Sequence, residues 1–240
     1  GNCEPDAMII SSAGNCLIEC NINDDTYNIT SSFVPPAEMY IIGSPWSWTW
    51  DDVTDGMIPV HSNPGKFWRM QYLDANAQIK FFPVHNSWDN GIGYPEATIP
   101  DENVNRAGLS DVDGNISVAN AGWYIIVIGA DATGQYTVEF LEPKVYLTGN
   151  PSGGWDVFDD PRLFTVPANG TGEFESPAFV ADCDLRMCIR LENTNWWMTE
   201  FNIYDNVIIY RGDGGDQAAV PVTAGQKAYL NFSDNTGRIQ

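Results

Sequence analysis

The residues with the clearest chemical potential in this 240-residue chain are aromatic, and they come in clusters. "MYIIGSPWSWTWDD", from Met39, places Trp46, Trp48 and Trp50 at alternate positions. "VYLTGNPSGGWD", from Val145, repeats the phrase with Trp155 alone. "PVHNSWDNGIGY" carries Trp88, and "IRLENTNWWMTEF" carries Trp196 and Trp197. Lys80 and Arg186 lie on equivalent strands just before these last two segments. A flat ring stacks on the apolar C–H face of a pyranose, while hydroxyls need directional donors and acceptors. Aromatics with a Lys or Arg and asparagines meet both needs. The other reading of Lys80 and Arg186 is a solvated strand face.

The repeat supplies an internal control. Tyr40 and Gly43 match Tyr146 and Gly149, "AQIKFF" matches "CDLRMC" at the same offset, and "NAGWYIIVI" matches "TAGQKAYLNF". The order is kept, so the chain holds two diverged copies of one module, 37–142 and 143–240. "SAGNCLIEC" and "DDTYNIT" resemble the closing strands of a copy, which makes 1–36 a remnant or the end of a preceding module. The short junctions "FVPP" and "FLEP" contain proline and imply stiff linkage. Trp50 and Trp155, shared by both copies and each followed by Asp, are expected in the core or anchoring a loop. Trp46 and Trp48 have no counterpart and are expected to serve a site, the alternative being packing on the neighbouring module. In an extended segment Trp196 and Trp197 would face opposite sides, one inward and one outward.

Short segments rich in β-branched and aromatic residues, such as "KFWRMQYL", "GWYIIVIG", "QYTVEFL" and "KAYLNF", are bounded by Gly, Asn, Asp and Pro. No segment shows a capped pattern of helical period. The fold class is all-β: tandem immunoglobulin-like, or carbohydrate-binding-module-like, β-sandwiches.

Other chemistries are poorly represented. His61, in the turn "PVHSNPG", and His85 have no serine or cysteine in a nucleophile context. Among 32 acidic residues some pair will always be close, so a pair alone does not argue for glycoside cleavage. "DVDGN" lacks the distal glutamate of a complete calcium loop and reads as a polar turn. The five cysteines include Cys16 with Cys20 and Cys183 with Cys188. On strands these pairs would be roughly 13 and 16 Å apart, too far for a disulfide. They read mostly as small buried hydrophobes. No enzyme, metal or cofactor is therefore expected. A net charge of −21 opposes nucleic acid and anionic membrane surfaces. No apolar run reaches the length of a membrane span.

The Gly turn with Trp-Asp, the strand with a basic residue, the "SWDNGIGY" loop and the "AG" turn, in that order over 37–240, resemble the SusE/SusF-like outer-membrane lipoproteins. The resemblance implies a non-catalytic, cell-surface protein of a glycan-utilisation system, tethered through a lipidated cysteine. It implies a polysaccharide or oligosaccharide as ligand, starch or another glycan, and other outer-membrane glycan-uptake proteins as further partners. Cys3 is not preceded by a lipobox, so the anchor rests on the resemblance alone. Carried over by residue, Trp46, Trp48 or Trp88 with Lys80 would form a first site. Trp196 or Trp197 with Arg186 or Arg190 would form a second. "NWWMTEF" departs from the Trp-Asp-x-Asn loop of the family. A structural spacer without a glycan site of its own is the alternative.

Overall fold

A computed structural model of the chain describes residues 15–21 and 26–240, with side chains from Phe33 onward. Strands β1 (Asn15–Asn21) and β2 (Thr26–Ser32) pair as an antiparallel hairpin. The chain then runs past Phe33, whose ring meets Tyr136 edge-on at 6.3 Å.

The first sandwich sets one sheet on another. Its strands in chain order are β3 (Tyr40–Gly43), β4 (Ile58–Pro59), β5 (Lys66–Leu73), β6 (Ala77–Phe82), β7 (Ala97–Thr98), β8 (Leu109–Val112), β9 (Asn115–Val118), β10 (Gly122–Ala130) and β11 (Tyr136–Leu141). One sheet has the order β4-β5-β10-β11-β7 and the other β3-β6-β9-β8. Ile41, Ile79, Phe81 and Ile116 from one sheet meet Phe67, Ile126, Ile128 and Phe140 from the other in a shared apolar cluster. A helix, α1 (Asp101–Ala107), follows β7, and no helix was anticipated from the sequence. Its two turns are too short for a recognisable period. It is held from outside: the buried Asn103 accepts a hydrogen bond from the Phe140 N–H through Oδ1, and Arg106 donates to the Phe140 carbonyl at 2.8 Å.

The second half continues with β12 (Val145–Leu147), β13 (Phe174–Glu175), β14 (Cys183–Asp184), β15 (Met187–Ile189), β16 (Glu200–Tyr204), β17 (Val207–Tyr210), β18 (Pro221–Val222), β19 (Ala228–Asn231) and β20 (Thr236–Ile239). Seven strands form one sheet, β12-β15-β16-β17-β20-β19-β13, and β14 pairs with β18. Cys188 is a fully buried wall of this half, and burial pushes its thiol pKa up; Cys183 is half-buried.

The run "WYIIVI" in β10 is continuous rather than alternating because both faces of the strand are covered. Tyr124, Ile126 and Ile128 enter the core of the first sandwich. Trp123, Ile125 and Val127 point the other way, opposite Tyr72, Met70 and Trp68 of β5. There they join Val145, Phe174, Met187 and Phe201 of the second half in a single cluster. The two sandwiches share a core across their junction. Trp123 lies 5.1 Å from Phe174, and its Nε1 donates to the Asn169 carbonyl at 3.0 Å.

One consequence is cooperative unfolding. Trp123→Ala should destabilise the chain by about 3–5 kcal/mol, the range for a buried large aromatic. Differential scanning calorimetry of the wild-type chain should show one transition; two separate transitions would mean that the sandwiches melt independently.

Candidate functional site

The repeated phrase folds into the same local device in each half. A strand ends at a glycine, and a 3-10 turn follows with proline near its start: Ser44–Trp46 in the first copy and Asn150–Ser152 in the second. Glycine is required for different reasons. A Cβ on Gly43 would lie 2.0 Å from the Gln78 carbonyl oxygen of the neighbouring strand. Gly149 has φ +76°, and a Cβ there would meet the Trp155 ring at 2.9 Å. The turn then closes with the same hydrogen bond in both copies, Trp48 N–H to Gly43 O and Gly154 N–H to Gly149 O, each 3.0 Å.

From that bond the copies diverge. Trp50 comes two residues after the closing residue and Trp155 only one. Trp50 opens a second 3-10 turn, Trp50–Asp52, and is buried with Ile42, Val53 and Phe82. Trp155 is 49% exposed and lies over Gly149. Of the two places expected for this pair, core or loop anchor, Trp50 takes the core, whereas Trp155 lies on the surface over the turn glycine, one residue fewer in the loop having brought its ring out.

Trp155 meets Trp196, with centroids 5.2 Å apart and planes inclined at 38°. Trp196 and Trp197 do not lie in an extended segment, and neither enters the core. They open a 3-10 turn, Trp196–Thr199, capped by Asn195, whose backbone N–H reaches Met198 Sδ at 3.4 Å. With about three residues per turn, neighbours are about 120° apart rather than opposed. Both tryptophans thus line one open cleft of about 500 Å³, together with Trp155, His61, Arg186, Arg211 and Asp216.

The cationic side of this cleft is tightly organised. Glu200 on β16 has a fully buried side chain. It accepts from Arg186 and, at 3.2 Å, from Arg211. Asp216 lies 3.4 Å from Arg211 and 3.6 Å from Arg186. Burial alone would lower the Arg186 pKa, but its hydrogen bond and charge attraction to Glu200 raise it. Arg211 also sits 5.4 Å from the Trp197 ring. Arg190, by contrast, stacks on Phe158 at 4.3 Å and is not among the cleft residues.

In the first sandwich, Trp88 is 54% exposed and its ring is 5.4 Å from both Trp50 and Phe82. Lys80 and Phe82 alternate on β6 and share a face. The Lys80 ammonium has no carboxylate partner among the described residues, although the chain is strongly acidic. His85 is a packing residue: its Nε2 is 2.9 Å from the Val53 carbonyl, and its ring lies between Tyr40 and Trp50. Trp46 packs against two apolar clusters and carries the Arg69 guanidinium 5.7 Å from its ring. Burial lowers the Arg69 pKa. Trp48 is half-buried and has φ +56°, an uncommon conformation for a bulky residue. Its counterpart in the other turn is Gly154. Trp155, Arg211, Asp216 and His61 are not among the site residues expected from the sequence, which places Trp155 in the scaffold and His61 in a turn. Only Trp155 carried a signal, its exact place one residue short in the repeat.

This is a tandem β-sandwich of carbohydrate-binding-module type, with aromatic surface clusters beside cations. The sequence model described as SusF/SusE starch-specific carbohydrate-binding modules matches it twice, over 38–138 and 144–238, and the chain belongs to that family. It is 44% identical over 217 residues to the Outer membrane protein SusF of Bacteroides thetaiotaomicron, which covers 85% of this chain and 44% of that protein. The crystal structure of SusF from the same organism superposes with a TM-score of 0.82 at 40% identity, covering 93% of this chain and 51% of that one. The chain thus spans about half the length of these relatives.

Two substitutions separate scaffold from surface. Trp46→Ala should lower stability by about 1–3 kcal/mol, because it uncovers apolar side chains and removes the ring beside a desolvated arginine. Trp48→Gly should leave stability within about 1 kcal/mol, since relief of the left-handed backbone offsets lost contact. Urea titration of both variants reads the difference. Glu200→Ala should cost about 3–5 kcal/mol, because it leaves two half-buried arginines short of their shared carboxylate.

Proposed function

We propose that the chain is a non-catalytic, starch-binding part of an outer-membrane, cell-surface glycan-utilisation system. The observation that carries this reading is the Trp155–Trp196 pair, the first ring exposed and the second half-buried, 5.2 Å apart and inclined at 38°, in a cleft lined by Arg186 and Arg211. Two rings set at an angle offer a bent surface, suited to successive glucose units of a curved α-glucan. The arginines offer donors to hydroxyls, and Asp216 an acceptor. Membership of a family described as starch-specific supports the ligand class, and the name of the SusF relative supports the outer-membrane location. No helix among the described residues is long and apolar enough to cross a membrane.

A further site, in the first sandwich, pairs Trp88 with Lys80, and Trp48 is assigned to it. The strained backbone of Trp48 supports this assignment, because the other copy of the turn manages with glycine. Arg190 and Trp46 serve packing in this reading. The modules are 37–142 and 143–240, with 1–36 a remnant or the end of a preceding module. Other glycan-uptake proteins of the outer membrane are its partners. A pure spacer has no use for half-exposed paired tryptophans, which favours binding over the structural alternative.

Each shallow site should bind weakly by itself, and affinity for polymer should come from both sites engaging one chain. Trp155→Ala with Trp196→Ala, and separately Lys80→Ala with Trp88→Ala, should each weaken retention in starch-containing native gels more than binding of a short maltooligosaccharide to the remaining site. A panel of starch, levan, xylan and pectin tests the ligand class. Equal retention of wild type and both double variants in starch gels would overturn the reading.

A further inference from the structure

We propose that the second cleft is completed by a residue of the first sandwich, His61, whose Nε2 accepts a hydrogen bond from a ligand hydroxyl. The inference rests on the sugar-binding reading of that cleft and adds a cross-module contact to it.

His61 lies in the turn between β4 and β5, yet its hydrogen bonds and its aromatic contact are with the other half. Its backbone N–H donates to the Met198 carbonyl at 2.9 Å, tying the turn to the short helix that carries Trp196 and Trp197. Its Nδ1 is 2.8 Å from the Gly212 carbonyl. Its ring meets Trp197 at 5.4 Å and 73°. A carbonyl can only accept, so the proton sits on Nδ1, and Nε2 of the neutral ring is an acceptor. Nε2 has no hydrogen-bond partner among the described residues, and the ring lines the cleft.

The cleft needs such a group. Arg186, Arg211 and the indole N–H groups are donors only. Asp216 is the one carboxylate among the cleft residues, and it already faces both arginines. Sugar hydroxyls donate as well as accept, so a wall of donors leaves hydroxyl protons unpaired. A fixed imidazole acceptor on a separate element supplies the missing half of the pattern. The same ring packs edge-on against Trp197, which steadies the indole at the place where the modules meet.

The test uses the whole chain carrying Lys80→Ala and Trp88→Ala, so that the second cleft reports alone, with maltoheptaose as probe. In ¹⁵N imidazole spectra the His61 Nε2 resonance, assigned by its loss in His61→Phe, should shift on saturation. His61→Phe keeps an aromatic ring against Trp197 and should weaken binding by about 3–10-fold, the factor for one neutral hydrogen bond. Trp155→Ala with Trp196→Ala should abolish binding. An unmoved His61 resonance, with binding still lost in the tryptophan variant, would overturn the His61 assignment alone. Full binding by the tryptophan variant would overturn the sugar-platform reading of this cleft, and the inference with it.

Discussion

The double burial of β10 is the constraint on which the rest of the molecule depends. A strand that faces one core can slide or tilt with its own sheet. A strand that inserts Ile126 and Ile128 into one core and Ile125 and Val127 into the next cannot move without disturbing both. Its neighbour β5 repeats the arrangement, with Phe67 facing one way and Trp68 the other. Apolar burial of this kind contributes roughly 25 cal/mol per Å², and it has no directional preference that a hinge could exploit. The two aromatic surface clusters are therefore parts of one body.

That rigidity explains how a turn in the first sandwich can take part in a cleft of the second. His61 reaches across only because β4 and β5 are pinned to the neighbouring core through Val60, Trp68 and Met70. Polar contacts then refine what apolar packing has placed. The Glu200 carboxylate, desolvated but met by two guanidinium groups, sets the two arginines at the floor of the cleft. Among the described acidic residues, Glu200 is the one that is buried.

The two glycine turns illustrate how little sequence separates a scaffold residue from a surface one. The order of parts is shared up to the hydrogen bond that closes each turn: a glycine, then a 3-10 turn with proline near its start. One residue more sends Trp50 beneath Tyr40, His85 and Trp88. One residue fewer leaves Trp155 on the outside against Trp196. The same side chain is a floor in one copy and a platform in the other.

The strands, the repeat and the all-β class were legible in the sequence because they rest on local properties: side-chain period, β-branched and aromatic content, and glycine at places where no Cβ fits. The neighbourhoods of both clusters were legible for the same reason, since Lys80 with Trp88 and Arg186 with Trp196 lie within one strand and the loop after it. The short helix α1 was not, because its support comes from Phe140, far along the chain. Nor was the orientation of any individual tryptophan. The sequence by itself determined which segments would be strands, that two copies of one module follow each other, and which residue types gather at their surfaces. Only the tertiary structure decided that Trp155 faces out, that Trp46 covers Arg69, that Arg211, Asp216 and His61 meet at one cleft, and that the two sandwiches share a core. Those outcomes depend on contacts between residues tens to more than a hundred positions apart, which the period and propensity of a local segment do not encode.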